Sequence, residues 1–334
     1  TDSDIIDASD LADALSFALS GSGEWTVSIG TDTVTFSEIE GFELTDQADS
    51  VDASADAGGL SIDAGAGDDT VIGGSGDDTI IGGLGADSML GGDGADTFVI
   101  ADGFGADTIQ GGEGGTDVDE IDLSALSSGI SVAFVDGGAG TIALGGDTIQ
   151  FSEIESFTLT EQGDVFTATN NDHGVTVDGG SGSDTITGAR GDHTLFGGDG
   201  DDAIYGGNGQ SSIDGGSGNA TVYANFYSET AKPNSYSGGS GTDTLMIAGT
   251  AVGSVAYNIN LQTGIDTYNN SYSGFEHIVF GTGNDTVLGD AGDNLFEGGD
   301  GSDSLMGALG SDTLKGGESN DILSGGEGDD FLQT

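Results

Sequence analysis

The chain has 334 residues, of which 59 are Asp or Glu and only 3 are Lys or Arg, for a formal charge of −56. This charge excludes nucleic acid and anionic membrane surfaces as partners, because both require Lys and Arg. The absence of cysteine excludes disulfides and thiolate metal sites. No apolar run approaches the ~20 residues that a membrane-spanning helix needs, so we expect no transmembrane segment.

The first part of the chain alternates apolar and polar residues, as in Trp25–Ile29 and Phe36–Phe42. Alternation with a period of two residues predicts strands. Residues 6–98 align without a gap with residues 121–213, so this β-rich segment returns at an offset of 115 residues. The sequence leaves open whether such segments continue the architecture of the repeats that follow them or form small β-excursions from it.

A nine-residue phrase, Gly-Gly-x-Gly-x-Asp-x-(apolar)-x, follows each β-rich segment and occurs seventeen times in the chain. Its clearest copies are residues 73–81 and 298–306. The glycines permit tight loops and close backbone approach, the Asp offers a carboxylate oxygen to a hard cation, and the apolar residue points inward from a short strand. The copies form these runs: 64–99 with 102–110, 179–223 with 238–246, and 280–333.

These nonapeptides are the signature of a calcium-binding β-helix, and the chain resembles the RTX (repeats-in-toxin) family of hemolysin-type calcium-binding repeats. The resemblance implies an all-β fold, a right-handed parallel β-roll or β-solenoid with two nonapeptides per turn. It implies several Ca²⁺ ions held between successive turns by Asp carboxylates and glycine-loop carbonyls. It also implies type I secretion from a Gram-negative bacterium.

The positions of the runs divide the chain into about three tandem modules, which we predict at residues 1–115, 116–237 and 238–334. The first two modules each place a β-rich segment before a run of nonapeptides. The third begins with the copy 238–246, followed by a β segment and the run 280–333. The chain opens in mid-phrase without an initiator Met or a secretory signal, so we expect a fragment or processed region of a longer protein.

The resemblance assigns calcium-ligand roles to the acidic residues at the sixth position of the nonapeptides. Asp is also a common turn residue, but turn preference does not explain the same offset in nearly every loop. The predicted metal ligands are Asp69, Asp78, Asp87, Asp96, Asp107, Asp184, Asp202, Asp243, Asp285, Asp303, Asp312, Asp321 and Asp330.

The second run departs from this pattern, because its alternate sixth positions are His193 and Ser211. Two nonapeptides make one turn, so these residues fall on one edge of the roll and Asp184 and Asp202 on the other. We predict that the second module binds calcium along one edge only. We interpret His193 as a solvent-exposed loop residue that replaces a lost ligand, not as a transition-metal ligand or catalytic residue.

All seven tyrosines fall within residues 205–272, close to a Tyr-rich insertion at residues 224–237. Aromatic residues on a rigid scaffold can stack on a surface glycan or anchor a partner. Alternatively, they cover a break in the roll. We favour the covering role, and Tyr227 and Tyr236 are the residues that would separate the two interpretations.

The functional expectation is a secreted, calcium-binding structural or adhesive surface protein that folds and becomes rigid on binding extracellular Ca²⁺. End-to-end self-association into a fibre or surface layer is a further hypothesis. We expect no enzymatic activity in this chain, since the sequence has no nucleophile elbow, zinc-protease motif or phosphate loop. The alternative is a non-catalytic RTX tail of a larger secreted protease, lipase or polysaccharide epimerase.

Overall fold

The computed structural model describes residues 4–20, 23–112, 117–169, 171–224, 233–247 and 256–334, and these residues form strands and loops without a helix. The strands of the first half are β1 Ile5–Asp7, β2 Leu15–Leu19, β3 Glu24–Ile29, β4 Asp32–Ser37, β5 Gly41–Glu43, β6 Ser50–Asp52, β7 Ser61–Asp63, β8 Thr70–Gly74, β9 Thr79–Ile81, β10 Ser88–Gly92, β11 Thr97–Val99, β12 Ala106–Gln110, β13 Glu120–Asp122, β14 Ser131–Asp136, β15 Ala139–Leu144, β16 Asp147–Ser152 and β17 Ser156–Thr158. Those of the second half are β18 Val165–Thr167, β19 Thr176–Asp178, β20 Thr185–Thr187, β21 Thr194–Phe196, β22 Ala203–Tyr205, β23 Ser212–Asp214, β24 Thr221–Tyr223, β25 Ser235–Ser237, β26 Thr244–Ile247, β27 Asn258–Asn260, β28 Ile265–Asp266, β29 Ser271–Ser273, β30 His277–Phe280, β31 Thr286–Leu288, β32 Leu295–Asp300, β33 Ser304–Leu309, β34 Thr313–Glu318, β35 Ile322–Glu327 and β36 Phe331–Gln333.

Each nonapeptide forms one short strand from its last three residues, and the apolar residue in the middle points inward. In β9, Ile80 is fully buried between the half-exposed Thr79 and Ile81. Side chains of successive strand residues point to opposite faces, so a three-residue strand contributes one core side chain. The core of the roll is therefore thin.

The chain divides into two compact units, Thr1–Glu161 with Val175–Val177 and Gln162–Gly174 with Asp178–Thr334, and β19 spans the division. The three predicted sequence modules stay a prediction. In unit 1 the strands form two parallel sheets, which we call face A (β1, β5, β7, β9, β11, β13, β17) and face B (β2, β6, β8, β10, β12, β16). Met89 of β10 pairs with Val71 of β8, and Ile80 of β9 with Ile62 of β7. A spacing of 18 residues between paired positions confirms two nonapeptides per turn.

Each β-rich segment contributes some strands to the parallel faces and other strands to an antiparallel meander. In unit 1, β2 pairs in parallel with β6 and in antiparallel fashion with β3, which continues into β4. The strands β14, β15 and β16 form a second antiparallel meander, and β16 joins face B in parallel with β12. Aromatic rings pack in the core beside the first of these meanders. The ring centroid of Phe42 lies 5.1 Å from that of Phe17 and 4.7 Å from that of Trp25.

Unit 2 has the same two-faced arrangement. Its face B consists of β18, β20, β22, β24, β26, β30, β32, β34 and β36, all paired in parallel. Its face A consists of two parallel groups, one of β21, β23, β25 and β29 and the other of β27, β31, β33 and β35. The strand β28 connects the two groups, because it pairs in antiparallel fashion with both β27 and β29. Leu323 and Leu332 occupy the inward position of their nonapeptides, yet Leu323 is only half-buried and Leu332 is 43% exposed, because they lie on the last turn of the chain.

The tyrosines of unit 2 that the structure describes mostly pack against the roll. Tyr236 and Tyr272 point inward, are each 3% exposed, and stack with ring centroids 5.6 Å apart. Tyr205 and Tyr223 stack face to face on the outer surface at 4.0 Å, so their facing ring surfaces are already covered. These positions favour the covering role; Tyr227 lies outside the described residues.

Candidate calcium centres

The thirteen predicted metal ligands all lie immediately before or at the start of a strand, where the chain enters one edge of the roll. One carboxylate oxygen of each, Oδ1, accepts a backbone N–H from the preceding turn. Asp87, for example, accepts the N–H of Asp69 at 2.9 Å, and Asp96 accepts that of Asp78 at 2.8 Å. These bonds join turn to turn, so the Asp residues stack into columns along each edge.

The second oxygen of most of these carboxylates has no hydrogen-bond partner although it is buried. Among the described residues, every buried side-chain oxygen or nitrogen without a partner belongs to this set of Asp residues. They are the Oδ2 atoms of Asp69, Asp78, Asp87, Asp96, Asp184, Asp202, Asp243, Asp285, Asp303 and Asp312. A buried, ionised oxygen without a partner is costly, so each of these atoms requires a cation or a proton.

Glycine backbone surrounds these unpartnered oxygens. A Cβ on Gly73 would collide with Oδ2 of Asp78 and with the carbonyl oxygen of Gly91, one turn further along. The same holds for Gly298, beside Oδ2 of Asp303 and the carbonyl of Gly316. The first glycine of the nonapeptide thus leaves a space that is lined by carboxylate and carbonyl oxygens.

Burial raises the pKa of several carboxylates in these columns, among them Asp69, Asp96 and Asp184. The pKa of Asp69 and of Asp184 is raised to about 7, mainly by burial and partly by neighbouring acidic residues, while a hydrogen bond from the preceding backbone N–H opposes the shift. Strands of adjacent turns lie ~4.8 Å apart, and two unit charges at that distance repel by about 3 kcal/mol at an effective dielectric constant of 20. At neutral pH, protons alone therefore neutralise the columns incompletely.

The donor set fits Ca²⁺. Calcium binds six to eight oxygen ligands from carboxylates, backbone carbonyls and water. Within the described part of the chain, no group of three or more His, Cys, Asp or Glu side chains is arranged to hold a metal by itself, so a bound ion would also use backbone carbonyls or water. Asp Oδ2 atoms and glycine-loop carbonyls would hold the ion, which supplies positive charge and links one turn to the next.

The second run contains the expected interruption, but the solvent-exposed position predicted for His193 is wrong. His193 is 2% exposed, and its Nε2 accepts the backbone N–H of Ala189 at 2.9 Å. Ser211 is also buried and donates its hydroxyl to the carbonyl oxygen of Gly206 at 2.9 Å. The imidazole is buried because the sixth position faces the roll, and burial lowers the pKa of His193.

Further along the same edge, the side-chain amides of Asn234 and Asn270 occupy the column positions. The N–H of Ser211 donates to Oδ1 of Asn234 at 2.7 Å, and the N–H of Asn234 donates to Oδ1 of Asn270 at 2.8 Å. We call His193, Ser211, Asn234 and Asn270 the neutral column. Asn234 and Asn270 accept turn-to-turn hydrogen bonds without a carboxylate, whereas the bonds of His193 and Ser211 given above are to backbone groups nearby in the sequence. Calcium binding along one edge only stays the prediction for this run.

Sequence reasoning missed acidic residues that occupy column positions outside regular nonapeptides. Asp119 is 2% exposed, accepts the N–H of Asp96 at 2.9 Å, and has its pKa raised to about 7 by burial. Asp49 lies in the same kind of position, but its Oδ2 accepts the N–H and the hydroxyl of Thr45, both at 2.8 Å. The available signal was an acidic residue two places before an inward apolar residue, with no glycine phrase in front of it.

Comparison with known proteins agrees with this geometry. The family model of the RTX calcium-binding nonapeptide repeat (4 copies) matches residues 63–98, 99–115, 178–213, 194–222, 281–314 and 297–332. No curated protein matches the sequence. Within the described residues, no helix has the length and apolar character needed to cross a membrane. The stacked nonapeptides, the parallel two-faced turns and the match to the family model together show that this chain carries RTX calcium-binding nonapeptide repeats within residues 63–115, 178–222 and 281–332.

Proposed function

We propose that this RTX repeat protein acts outside the cell as a structural or adhesive element that calcium makes rigid, and not as a catalyst. The observation that carries the proposal is the set of buried, unpartnered Oδ2 atoms repeated from turn to turn. A chain with a charge of −56 opposes its own compaction until cations neutralise these positions.

The proposed mechanism couples metal binding to folding. In a cytoplasm with little free calcium, charge repulsion keeps the chain expanded and ready for type I export. Outside the cell, each Ca²⁺ neutralises two carboxylates and links adjacent turns, so its binding energy becomes folding energy. Extracellular calcium-binding modules have affinities on the order of 10⁻⁴–10⁻³ M, which matches such a switch.

Small-angle X-ray scattering during a calcium titration tests the switch. We expect the radius of gyration to fall from a value typical of an expanded chain to one typical of a folded chain, with its midpoint near 10⁻⁴–10⁻³ M. A midpoint below micromolar calcium would mean that the chain folds before export, which contradicts the proposed extracellular trigger.

The structural role needs a separate test in the native organism. The native polypeptide would be located by surface labelling and its mass measured. We expect it on the cell surface or in the medium, without an attached catalytic domain. A native polypeptide that carries a protease, lipase or epimerase domain would favour the alternative role as a non-catalytic tail. Light scattering with and without calcium then tests self-association.

A further inference from the structure

Three glutamates take the place in the columns that Asp holds in the nonapeptides. Each lies two residues before an inward apolar residue, in a β-rich segment and not in a nonapeptide. Each accepts the backbone N–H of a residue in the preceding turn, at distances of 2.8–3.1 Å. They are Glu40, Glu155 and Glu276.

The backbone before each glutamate turns in the same unusual way. The residue two places earlier has a left-handed conformation in all three segments, with φ of 60° at Glu38, 58° at Glu153 and 66° at Gly274. The carbonyl oxygen of Gly274 lies where a Cβ on Gly238 would be. A carbonyl therefore faces the first glycine of the preceding loop, as it does between regular nonapeptides.

The pair formed by Asp243 and Glu276 has an unpartnered oxygen. Asp243 is fully buried, its Oδ1 accepts the N–H of Ala220 at 2.7 Å, and its Oδ2 has no hydrogen-bond partner. Its own N–H donates to Oε2 of Glu276 at 2.8 Å. The next column positions are Ala220 on one side and Asn294 on the other, so Asp243 and Glu276 are the two adjacent carboxylates of this stretch.

We propose that Asp243 of the nonapeptide copy 238–246 and Glu276 of the following β-rich segment, together with the carbonyl oxygen of Gly274, form a Ca²⁺ site. Two carboxylates balance the charge of one divalent ion, and an all-oxygen donor set is the one that calcium prefers over softer metals. The family match leaves a gap between residues 222 and 281, and this site falls within it.

Unit 1 contains a related arrangement at Asp119 and Glu155, although Oδ2 of Asp119 is not among the buried unpartnered oxygens. The N–H of Asp119 donates to Oε2 of Glu155 at 3.1 Å. Oδ2 of Asp119 and the carbonyl oxygen of Glu153 both lie against Gly111. Calcium binding would thus include turns that lack the glycine phrase. The β-rich segments would contribute Glu155 and Glu276 to the columns of metal ligands.

The first test is anomalous diffraction from crystals of the full chain grown with calcium. We expect an anomalous peak between Asp243 and Glu276, in addition to peaks between regular turns such as Asp285 and Asp303. The inference rests on the calcium binding in the proposed function, and the pattern of peaks separates the two. Peaks at regular turns alone overturn the inference, whereas no calcium peak at any turn overturns the proposed function as well.

The second test counts bound calcium per chain by equilibrium dialysis at millimolar calcium. Glu276→Gln keeps an oxygen that accepts the N–H of Asp243 but removes one ligand charge, and we expect the loss of one bound ion. Asp243→Asn and the double variant should lose the same single ion. Glu43→Gln removes the same charge from an exposed strand position and should lose none. Unchanged stoichiometry in Glu276→Gln refutes the site, and circular dichroism verifies that the variant is folded.

Discussion

At the scale of single residues, the two oxygens of each column Asp have different roles. Oδ1 accepts a hydrogen bond from the preceding turn, as Asp87 does from Asp69, and in ten of the thirteen predicted ligands Oδ2 is buried and unpartnered. An amide in place of the carboxylate preserves the first role and removes the charge of the second. The contribution of the hydrogen bond is therefore separable from that of the metal.

Asp87→Asn should weaken calcium binding without weakening the calcium-free protein. We expect the calcium midpoint of folding to rise on the order of tenfold, a loss of about 1.4 kcal/mol at that turn. Without calcium, the variant should be at least as compact as the unsubstituted chain, because one repelling charge is gone. Asp93→Asn makes the same charge change at an exposed loop position and serves as the control. Equal midpoints for the two variants would refute a ligand role for Asp87.

Gly73→Ala tests the space beside the unpartnered oxygen. The added methyl group would collide with Oδ2 of Asp78 and the carbonyl of Gly91, so we expect a loss of about 1–3 kcal/mol in the free energy of unfolding at millimolar calcium. Gly146 has open space around its Cα and no positive φ, so Gly146→Ala is the matched control. Urea unfolding measures both, and similar midpoints would show that the glycine space has no structural role.

The pKa values of the columns predict how pH acts on the calcium-free chain. Burial raises the pKa of Asp69, Asp96 and Asp107 from 3.8 to about 7. The folded state therefore holds these protons more tightly than the unfolded state. Their stabilising effect is full below the unfolded pKa of 3.8 and is lost as the pH rises toward 7.

Acidification without calcium should thus favour the folded roll. We expect more β-structure by circular dichroism at pH 5 than at pH 7.5 in the presence of chelator, and weaker calcium binding at pH 5 because protons compete for the same oxygens. A β-signal that falls on acidification would contradict the assignment of raised pKa values.

At the scale of elements, the neutral column shows that a turn can close without a metal ligand. The buried side chains of His193 and Ser211 occupy the space of a carboxylate and satisfy local backbone groups. The opposite edge of the same turns keeps Asp184 and Asp202 with unpartnered oxygens. We therefore predict that one edge closes through hydrogen bonds and that the other requires cations.

Restoring carboxylates should restore a site on that edge. We expect the double variant His193→Asp with Ser211→Asp to bind at least one more calcium ion per chain than the unsubstituted protein. Thr194→Asp with Ser212→Asp adds the same charge one residue further along each strand, where the side chains point outward, and should gain none. Calcium resolved between the loops of His193 and Ser211 in the unsubstituted chain would refute the prediction that this edge binds no calcium.

The sequence predicted the regular elements well because nine-residue periodicity alone sets their spacing. The 18-residue pairing of Met89 with Val71 follows directly from two nonapeptides per turn. Asp119 and Glu276 could not be recognised, because their turn-to-turn bonds span 23 and 33 residues and carry no constant offset. The burial of His193 was missed because the identity of a loop residue does not reveal which way its side chain points.

At the scale of the whole molecule, each unit combines a thin apolar core with columns of like charge. One inward side chain per nonapeptide buries little apolar surface, and the charge of −56 opposes compaction. We propose that ions linking successive turns supply the missing stability, and the free energy of unfolding should then rise with the logarithm of calcium concentration.

Circular dichroism of the full chain during a calcium titration, followed by chelation, tests this account most directly. We predict a largely disordered spectrum without calcium at neutral pH, a cooperative gain of β-structure as calcium is added, and reversal when the ion is chelated. A β-spectrum that is already complete without calcium and unchanged by chelator would contradict the claim that calcium drives the folding of this protein.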